Sequence, residues 1–322
     1  MLSRRDVILG TAAAGVAALV RDDLRADASQ PATPVRFDVP AGTCDCHTHI
    51  FGDPRRFPFT PERVYTPQAA SIAEMRRLHR ALHTSRVVIV QPSVYGTDNS
   101  CTLDAIKQLG AGARGVAVID EMTPDAALDE MGRSGIRGIR INLETAGQTD
   151  PAVGGQRLRA AIGRTKDRNW HIQVYTRLSV IDRLADQISA SPVPIVIDHF
   201  GGAQASLGTK QPGFEALVNL VRAGAAYVKI SGAYRSSIQP PDYPDVAPLA
   251  KALIAANPRR ILWGTDWPHP DSSQVAGRKA TDLAPLLQID DGRVFNQLAV
   301  WAPDAALRKI ILVENPARLY GF

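Results

Sequence analysis

The feature that most constrains the fold is a regular alternation of short β-branched runs with longer segments of helical periodicity. Eight such runs occur, at residues 42–50, 85–95, 114–120, 135–143, 171–176, 194–201, 226–234 and 260–268. Helical patterns lie between them, at 69–82, 102–110, 124–132, 155–168, 179–190, 212–223 and 245–256. Strands that alternate with helices predict parallel βαβ units, and eight units close into an α/β barrel of the (β/α)₈ type.

An open, doubly wound sheet is the competing arrangement of βαβ units. No Gly-x-Gly-x-x-Gly follows the first run, and the chain has no P-loop and no Cys-x-x-Cys pair. Residues 41–322 match the size of one such barrel, about 250 residues with some insertions. We therefore expect a single barrel domain over 41–322, preceded by a linker at 29–40.

The first 28 residues have the pattern of an export signal. Arg4 and Arg5 precede a stretch rich in Ala, Gly and Val, and the small-x-small sequence Ala26-Asp27-Ala28 follows. This resembles a twin-arginine leader with its cleavage site. The sequence thus predicts a signal peptide over 1–28 and a periplasmic protein without stable membrane insertion after cleavage.

Charge and cysteine content limit the kinds of partner and scaffold. The net charge is +5, but the 37 Lys and Arg residues are scattered rather than clustered. This favours a small anionic molecule over nucleic acid as the binding partner. The three cysteines cannot all pair with one another, which excludes a disulfide-stapled scaffold.

Polar residues at the predicted strand ends are the candidates for chemistry, because the active site of such a barrel lies there. His47 and His49 end the first strand, His199 the sixth and Asp266 the eighth. Strict alternation along the first strand would point both of its histidines into the barrel and turn Cys44 and Cys46 outward. Imidazoles and a carboxylate in this pattern either bind zinc or polarise a carbonyl while a base activates water.

Five sequence motifs resemble the amidohydrolase superfamily, namely GTCDCHTHIFG, GIRGIRINL, VPIVIDHFGG, ILWGTDWPHP and ENPARLYGF. Within it they are most similar to the branch of 2-pyrone-4,6-dicarboxylate hydrolase and related lactonases. The resemblance implies a barrel that hydrolyses a cyclic ester without a bound metal. Asp266 would then be the general base, and His47, His49 and His199 would polarise the lactone carbonyl.

The same resemblance implies a set of substrate-binding residues. Arg140 and Arg235 match carboxylate-binding arginines, and Ser93, Tyr65 and Tyr175 match hydrogen-bonding residues. The pyrone dicarboxylate enzymes carry a second arginine shortly after the one on strand four, and residues 142–156 here contain none. This shifts the expected substrate towards another acidic lactone. D-Galactarolactone isomerase belongs to the same branch, so ring isomerisation remains an alternative.

Two further hypotheses stay open at this point. One is a zinc-dependent hydrolase or decarboxylase with the same barrel. A zinc ion held by His47, His49 and Asp266 suits those ligand types, although strands four and five offer Arg140 and Tyr175 in place of further ligands. A binding protein without catalysis is the other hypothesis. His269, in the loop after Asp266, is a further candidate for substrate contact. We expect His171 to have a structural role.

Overall fold

The computed structural model describes residues 27–273 and 276–322, so all but the last two residues of the predicted leader lie outside the described residues. The barrel strands are β1 Cys44–Thr48, β2 Arg86–Val90, β3 Ala113–Ala117, β4 Ile136–Asn142, β5 His171–Tyr175, β6 Ile195–Ile197, β7 Ala226–Ser231 and β8 Ile261–Gly264. Each strand is parallel to the next in sequence order. The backbone N–H of His49 donates to Trp267 and that of Asp266 to His47, each at 2.8 Å, which joins the last strand to the first. The predicted (β/α)₈ barrel is confirmed.

The helices of the described residues surround these strands. They are α1 Ile72–Ala81, α2 Ser100–Leu109, α3 Asp125–Arg133, α4 Pro151–Thr165, α5 Leu178–Arg183, α6 Ala185–Ser189, α7 Phe214–Arg222, α8 Ala233–Ser236, α9 Ala247–Ala256, α10 Asp291–Trp301, α11 Ala305–Lys309 and α12 Asn315–Tyr320. The single helix predicted over 179–190 is wrong. It is divided because Leu184 leaves helical geometry at φ −99°, ψ 3°.

Strand β1 contains a bulge that decides which side chains face the barrel interior. Asp45 pairs with Val87 but Thr48 pairs with Ile89, so one extra residue lies on β1. Cys44 and Cys46 pack in a cluster with apolar residues of β2, β3, β6, β7 and β8, which can meet only inside the barrel. The expectation that these cysteines face the helices is wrong, because the bulge breaks the alternation on which it relied.

The carboxylate of Asp45 holds the bulge from the outer side of the strand. Its Oδ1 accepts hydrogen bonds from the backbone N–H of His47 at 3.2 Å and of Thr265 at 3.0 Å. Its Oδ2 accepts from the Thr265 hydroxyl at 2.7 Å and lies 3.2 Å from His79 Nε2 on α1. These contacts tie the end of β1 to the end of β8, where His47 and Asp266 are found.

The 29–40 segment, predicted as a linker, lies against the barrel. The Trp267 indole N–H donates to the Ser29 carbonyl at 3.0 Å. Further along, Thr33 Oγ1 donates to Asp290 Oδ2 at 2.6 Å, and the Arg36 N–H donates to Asn296 Oδ1 at 2.7 Å. Because Trp267 follows Asp266 directly, the segment helps to fix the end of β8. Among the described helices, none has the length and apolarity needed to cross a bilayer.

His171 lies on β5 deep in the barrel, 5.2 Å from the ring of Tyr320 between centroids, and its ring nitrogens find no hydrogen-bond partner among the described residues. Burial, with a smaller contribution from Lys229, lowers its pKa to about 3. An unfolded histidine titrates near pH 6.5, so this contribution to stability is complete above that pH and is lost as the pH falls towards 3. We expect His171 to account for about 2 kcal/mol of the stability lost between pH 7 and pH 5.

Urea unfolding of the parent and of His171→Gln at both pH values measures this contribution. The variant should lose about 2 kcal/mol less than the parent between pH 7 and pH 5, whatever its stability at pH 7. The matched control is His83→Gln, which makes the same substitution at an exposed position. If the free energy of unfolding changes equally between pH 7 and pH 5 in the parent and in His171→Gln, His171 is not held neutral by burial.

Candidate active site

Four polar side chains meet at the C-terminal ends of β1, β6 and β8. Asp266 Oδ1 lies 3.6 Å from His47 Nε2 and 3.7 Å from His49 Nε2. It lies 3.8 Å from His199 Nε2. Among the described residues, neither Asp266 Oδ1 nor His47 Nε2 has a hydrogen-bond partner, although both atoms are buried. Buried polar atoms that face one space without partners mark a point where a water molecule or a ligand fits.

The other oxygen of Asp266 is firmly bound. Its Oδ2 accepts hydrogen bonds from the Tyr234 hydroxyl at 2.6 Å and from Arg235 Nε at 2.5 Å. Both donors lie on the short helix α8, which begins after Gly232 in the left-handed region at φ 60°. Burial alone would raise the pKa of Asp266, but the Arg235 guanidinium opposes it most strongly, and that pKa is held well below its usual range. The carboxylate is therefore ionised, with one oxygen fixed and one available.

The hydrogen bonds of the histidines indicate which ring nitrogen carries the proton. His49 Nδ1 lies 2.7 Å from the Val90 carbonyl, which can only accept, so Nδ1 holds the proton and Nε2 is a lone pair. His199 Nδ1 lies 2.9 Å from Ser231 Oγ, and a hydroxyl donating there leaves the proton on Nε2. Burial lowers the pKa of His49 and lowers that of His199 to about 4, so both rings are neutral at pH 7.

A network of buried charged and polar side chains contacts His47 at its Nδ1 atom. Lys229 Nζ lies 3.3 Å from His47 Nδ1, 3.5 Å from Asp198 Oδ1 and 2.6 Å from Gln173 Oε1. Asp198 Oδ2 accepts from Gln173 Nε2 at 2.9 Å and from Arg140 Nη2 at 3.4 Å. Burial would raise the pKa of Asp198, but Lys229 and His47 reverse this and lower it well below its usual range. Asp198 Oδ1 also lies 3.3 Å from His47 Nδ1, but it has no hydrogen-bond partner among the described residues. The hydrogen bond at Nδ1 is therefore the one with Lys229, and a lysine proton donated there leaves the ring proton of His47 on Nε2, facing Asp266.

The predicted substrate-binding residues surround a small space beside the four polar groups. A cavity of about 20 Å³ is lined by His49, Tyr65, Ser93, Arg140, Tyr175, His199, Arg235 and Asp266, among others. This volume holds about one water molecule. Burial raises the pKa of Tyr65 to about 12, so its phenol remains a donor at neutral pH. The structure thus brings together all nine residues that the sequence predicted for the site.

A second, wider cavity of about 470 Å³ lies next to the catalytic cavity. It shares Tyr175, Arg235, Thr145 and Ser272 with the catalytic cavity. At its rim, Arg177 Nη2 and Glu144 Oε1 form an ion pair at 2.6 Å. The side chain of Arg235 is 18% exposed, so its guanidinium can bind Asp266 and still reach a ligand in this cavity.

His269 lies outside the catalytic cavity and serves the structure instead. Its side chain is fully buried, and Nε2 lies 3.0 Å from Asp291 Oδ2. Its ring packs edge-on against Tyr234, with centroids 5.3 Å apart. The prediction that His269 contacts substrate has no support in this geometry, because the ring lies behind Tyr234.

Sequence reasoning missed three groups that contact the predicted ones. Gln173 could have been found, since it shares the inward phase of β5 with His171 and Tyr175. Asp198 could not be found in this way, because it alternates with His199, the residue recognised at the end of β6. Tyr234 had no such signal, because it follows the end of β7 on a helix of four residues. Its role depends on the turn at Gly232, which periodicity does not reveal.

The donor set also fits a metal ion. His47, His49 and Asp266 each offer one ligand atom, all within 4.8 Å of one another, and these are donors that zinc takes. Arg235, bound to the same carboxylate, opposes a divalent cation electrostatically. The ligand atoms of a second group, His47, Asp198 and His199, also lie within 4.8 Å of one another. In that group the Asp198 carboxylate already has the Lys229 ammonium 3.5 Å away.

An eight-stranded parallel barrel with a His-x-His pair ending β1 and a carboxylate after β8 has the architecture of the amidohydrolase barrels. The comparison of the sequence with family models agrees, since the model described as amidohydrolase matches residues 44–322. The chain therefore belongs to the amidohydrolase family.

Similar proteins narrow this assignment. The chain is 35% identical to 4-sulfomuconolactone hydrolase of Hydrogenophaga intermedia, covering 89% of this chain and 91% of the relative. It is 34% identical to 2-pyrone-4,6-dicarboxylate hydrolase of Comamonas testosteroni, covering 91% and 94%. A crystal structure of an Agrobacterium tumefaciens protein superposes with a TM-score of 0.74 at 28% identity, covering 91% of this chain and 98% of that one. The relatives match the branch that the sequence motifs indicated.

Proposed function

We propose that this protein hydrolyses a small carboxylated lactone, with Asp266 as general base and no required metal ion. The observation that carries the proposal is the position of Asp266 Oδ1, unpaired among the described residues and facing three imidazoles within 3.8 Å. Both curated relatives are named as hydrolases of lactones with a further acidic group. Arg140 and Arg235 supply the matching positive charge at the site.

The tautomers divide the work among the histidines. A water molecule in the small cavity donates one proton towards Asp266 Oδ1 and the other to the lone pair on His49 Nε2. Its oxygen attacks the lactone carbonyl carbon as Asp266 takes the first proton. The resulting oxyanion accepts hydrogen bonds from the Nε2–H groups of His47 and His199. The ring C–O bond then breaks, and Asp266 returns the proton to the departing oxygen. The product is a hydroxy acid or, when the departing oxygen is enolic, the enol form of a keto acid.

The arginines orient the substrate. Guanidinium groups bind carboxylates through two parallel hydrogen bonds, and Arg140 and Arg235 both line the catalytic cavity. Tyr65, Ser93 and Tyr175 complete the polar lining with hydroxyl groups. Correct positioning of the carbonyl against the bound water is worth several orders of magnitude in rate.

A panel of lactones with and without a carboxylate tests the function. Acid release is followed at constant pH, before and after dialysis against a chelator, with elemental analysis of the same samples. We expect turnover of carboxylated lactones that survives removal of metal. Activity on neutral lactones alone contradicts the roles of Arg140 and Arg235, and loss of activity that zinc restores contradicts the metal-independent mechanism.

Zinc-dependent hydrolysis is the second candidate, favoured by the donor set itself. His47, His49 and Asp266 would hold the ion, and zinc would supply Lewis-acid activation of water or carbonyl. In that case Asp266 binds metal and cannot serve freely as base. Elemental analysis of the active protein separates the two candidates directly.

Ring isomerisation is the remaining alternative, in which a hydroxyl of the substrate attacks in place of water. Reaction in ¹⁸O-labelled water distinguishes the outcomes. Hydrolysis places the label in the new carboxylate, whereas isomerisation gives an unlabelled lactone. We propose hydrolysis because the catalytic cavity has the volume of about one water molecule.

We also propose that the 1–28 segment exports the protein to the periplasm through the twin-arginine route. The support is the sequence pattern of Arg4, Arg5 and the small residues at 26–28. Replacing both arginines by lysine should leave the protein in the cytoplasmic fraction, measured by fractionation and immunoblotting. The matched control replaces Arg21 and Arg25 by lysine, and export should continue. Unchanged export of the first variant contradicts the twin-arginine route.

A further inference from the structure

A cavity of about 750 Å³ lies beside the catalytic cavity, between the ends of β2 to β4 and helix α4. We propose that it binds an apolar substituent of the substrate, an alkyl or aryl group of several carbons attached to the lactone ring. The inference rests on the proposed function and adds a specificity that the compact, doubly acidic substrates named for the relatives do not require.

The two cavities share a boundary. Ser93 and Arg140 line both of them. The Arg140 guanidinium is held there by Asp198 Oδ2 at 3.4 Å and lies 5.3 Å from the centre of the Tyr175 ring. A lactone whose carboxylate binds Arg140 therefore has its other substituents within reach of the larger cavity.

Volume separates the roles of the two cavities. The catalytic cavity, about 20 Å³, holds about one water molecule and has no room for a substituent of several carbons. The side cavity, about 750 Å³, falls within the usual range for small-molecule sites, about 300–1,000 Å³. A bulky group on the substrate thus has room beside the reacting centre rather than within it.

The walls of the side cavity are mainly apolar. Ile139 and Ile141 come from β4, Val118 follows β3, and Ala160 and Ala161 come from α4. Ile139, Ile141 and Ala161 are buried against the core. Protein interiors are normally close-packed, and two alanines on a helix facing two isoleucines leave space that larger side chains would fill. An apolar group entering this space gains the favourable transfer from water.

The charged residues at the rim do not favour a second carboxylate. Asp120 and Glu121 line the same cavity as Arg157 and Arg164, so charges of both signs are present. The Arg164 guanidinium already donates to the Thr123 carbonyl and lies 3.5 Å from Asp125 Oδ1. A neutral, apolar occupant fits this mixed rim and apolar interior better than an anion.

Binding of two matched lactones tests the inference. The probes are 5-oxotetrahydrofuran-3-carboxylate and its 2-hexyl derivative, titrated calorimetrically into the Asp266→Asn protein so that turnover does not interfere. We expect the hexyl compound to bind about tenfold more tightly or better, with a more negative heat-capacity change. Introducing Ala160→Phe should abolish that difference while leaving the affinity for the parent lactone unchanged.

Two further variants keep the test decisive. Ala152→Phe makes the same change at an exposed position of α4 that does not line the cavity, and should preserve the preference for the hexyl compound. Ala161→Leu fills the cavity from a buried position and should act like Ala160→Phe. Equal affinities for the two lactones, or a preference unchanged by both filling variants, overturns the inference. If the parent enzyme turns over neither lactone, that result contradicts the proposed function and not the inference about the side cavity.

Discussion

Asp266→Asn is expected to lower kcat by about a thousandfold and to leave KM within a few-fold of the parent value. Removal of a general base in such a position costs about 10²–10⁴-fold in rate. Asparagine keeps the size of the side chain and can still accept from Tyr234 and Arg235, so the site should remain assembled. Its amide cannot take a proton from the water that faces the histidines. Steady-state kinetics with a carboxylated lactone, together with urea unfolding, measures both effects.

The matched control is Asp291→Asn, which makes the same change at another buried carboxylate. Asp291 binds His269 rather than the reacting groups, so kcat should stay within about tenfold of the parent. A folded Asp266→Asn protein whose kcat is also within tenfold of the parent value would contradict the assignment of Asp266 as general base. If the Asp266→Asn protein binds zinc less tightly, and its activity falls in proportion to its zinc content, the result favours the metal-dependent candidate instead.

Lys229→Met is expected to destabilise the protein by about 3 kcal/mol, because it removes one of the two cations beside the buried Asp198 carboxylate and leaves only Arg140. Lys229 and Asp198 are both fully buried, with Nζ and Oδ1 3.5 Å apart. Breaking such a pair costs far more than breaking one at the surface. The free energy of unfolding in urea at pH 7 gives the magnitude.

The double variant Lys229→Met/Asp198→Asn tests the reason for that loss. Removing both charges should recover part of the stability, because the Asp198 carboxylate is no longer left without Lys229. The recovery is incomplete, since Arg140 then loses the carboxylate that lies 3.4 Å from its Nη2. The surface control is Arg133→Met, whose ion pair with Glu130 is exposed and should cost less than about 0.5 kcal/mol. A double variant no more stable than Lys229→Met would show that the unpaired Asp198 charge does not set the cost.

The sequence predicted the barrel well because parallel strands buried on both faces leave continuous β-branched runs, and these alternate regularly with helices. The positions of His47, His49, His199 and Asp266 followed from that frame alone, since all of them end strands. The interaction between Arg235 and Asp266 did not follow. It depends on how α8 turns after β7, and the sequence pattern carries no information about that angle.

Phase along a strand was reliable on β4 and β5 and failed on β1. Arg140 and Gln173 pair across the two regular strands and both contact Asp198. On β1 the extra residue shifts the phase, and the composition of the strand gives no sign of it. The role of His269 was missed for a different reason, because its partner Asp291 lies on α10, for which the sequence predicted no helix.

The bulge in β1 has a consequence for how this strand can change in evolution or design. It separates the strand into a lower part that fills the barrel and an upper part that carries the histidines, each with its own phase. Substitutions in one part leave the orientation of the other intact. A single-residue deletion between Asp45 and Thr48 would instead rotate one part against the other. Either the histidines would turn towards the helices or Asp45 would turn into the barrel. A deletion between Asp45 and Thr48 should therefore be tolerated far less than a substitution in either part of β1.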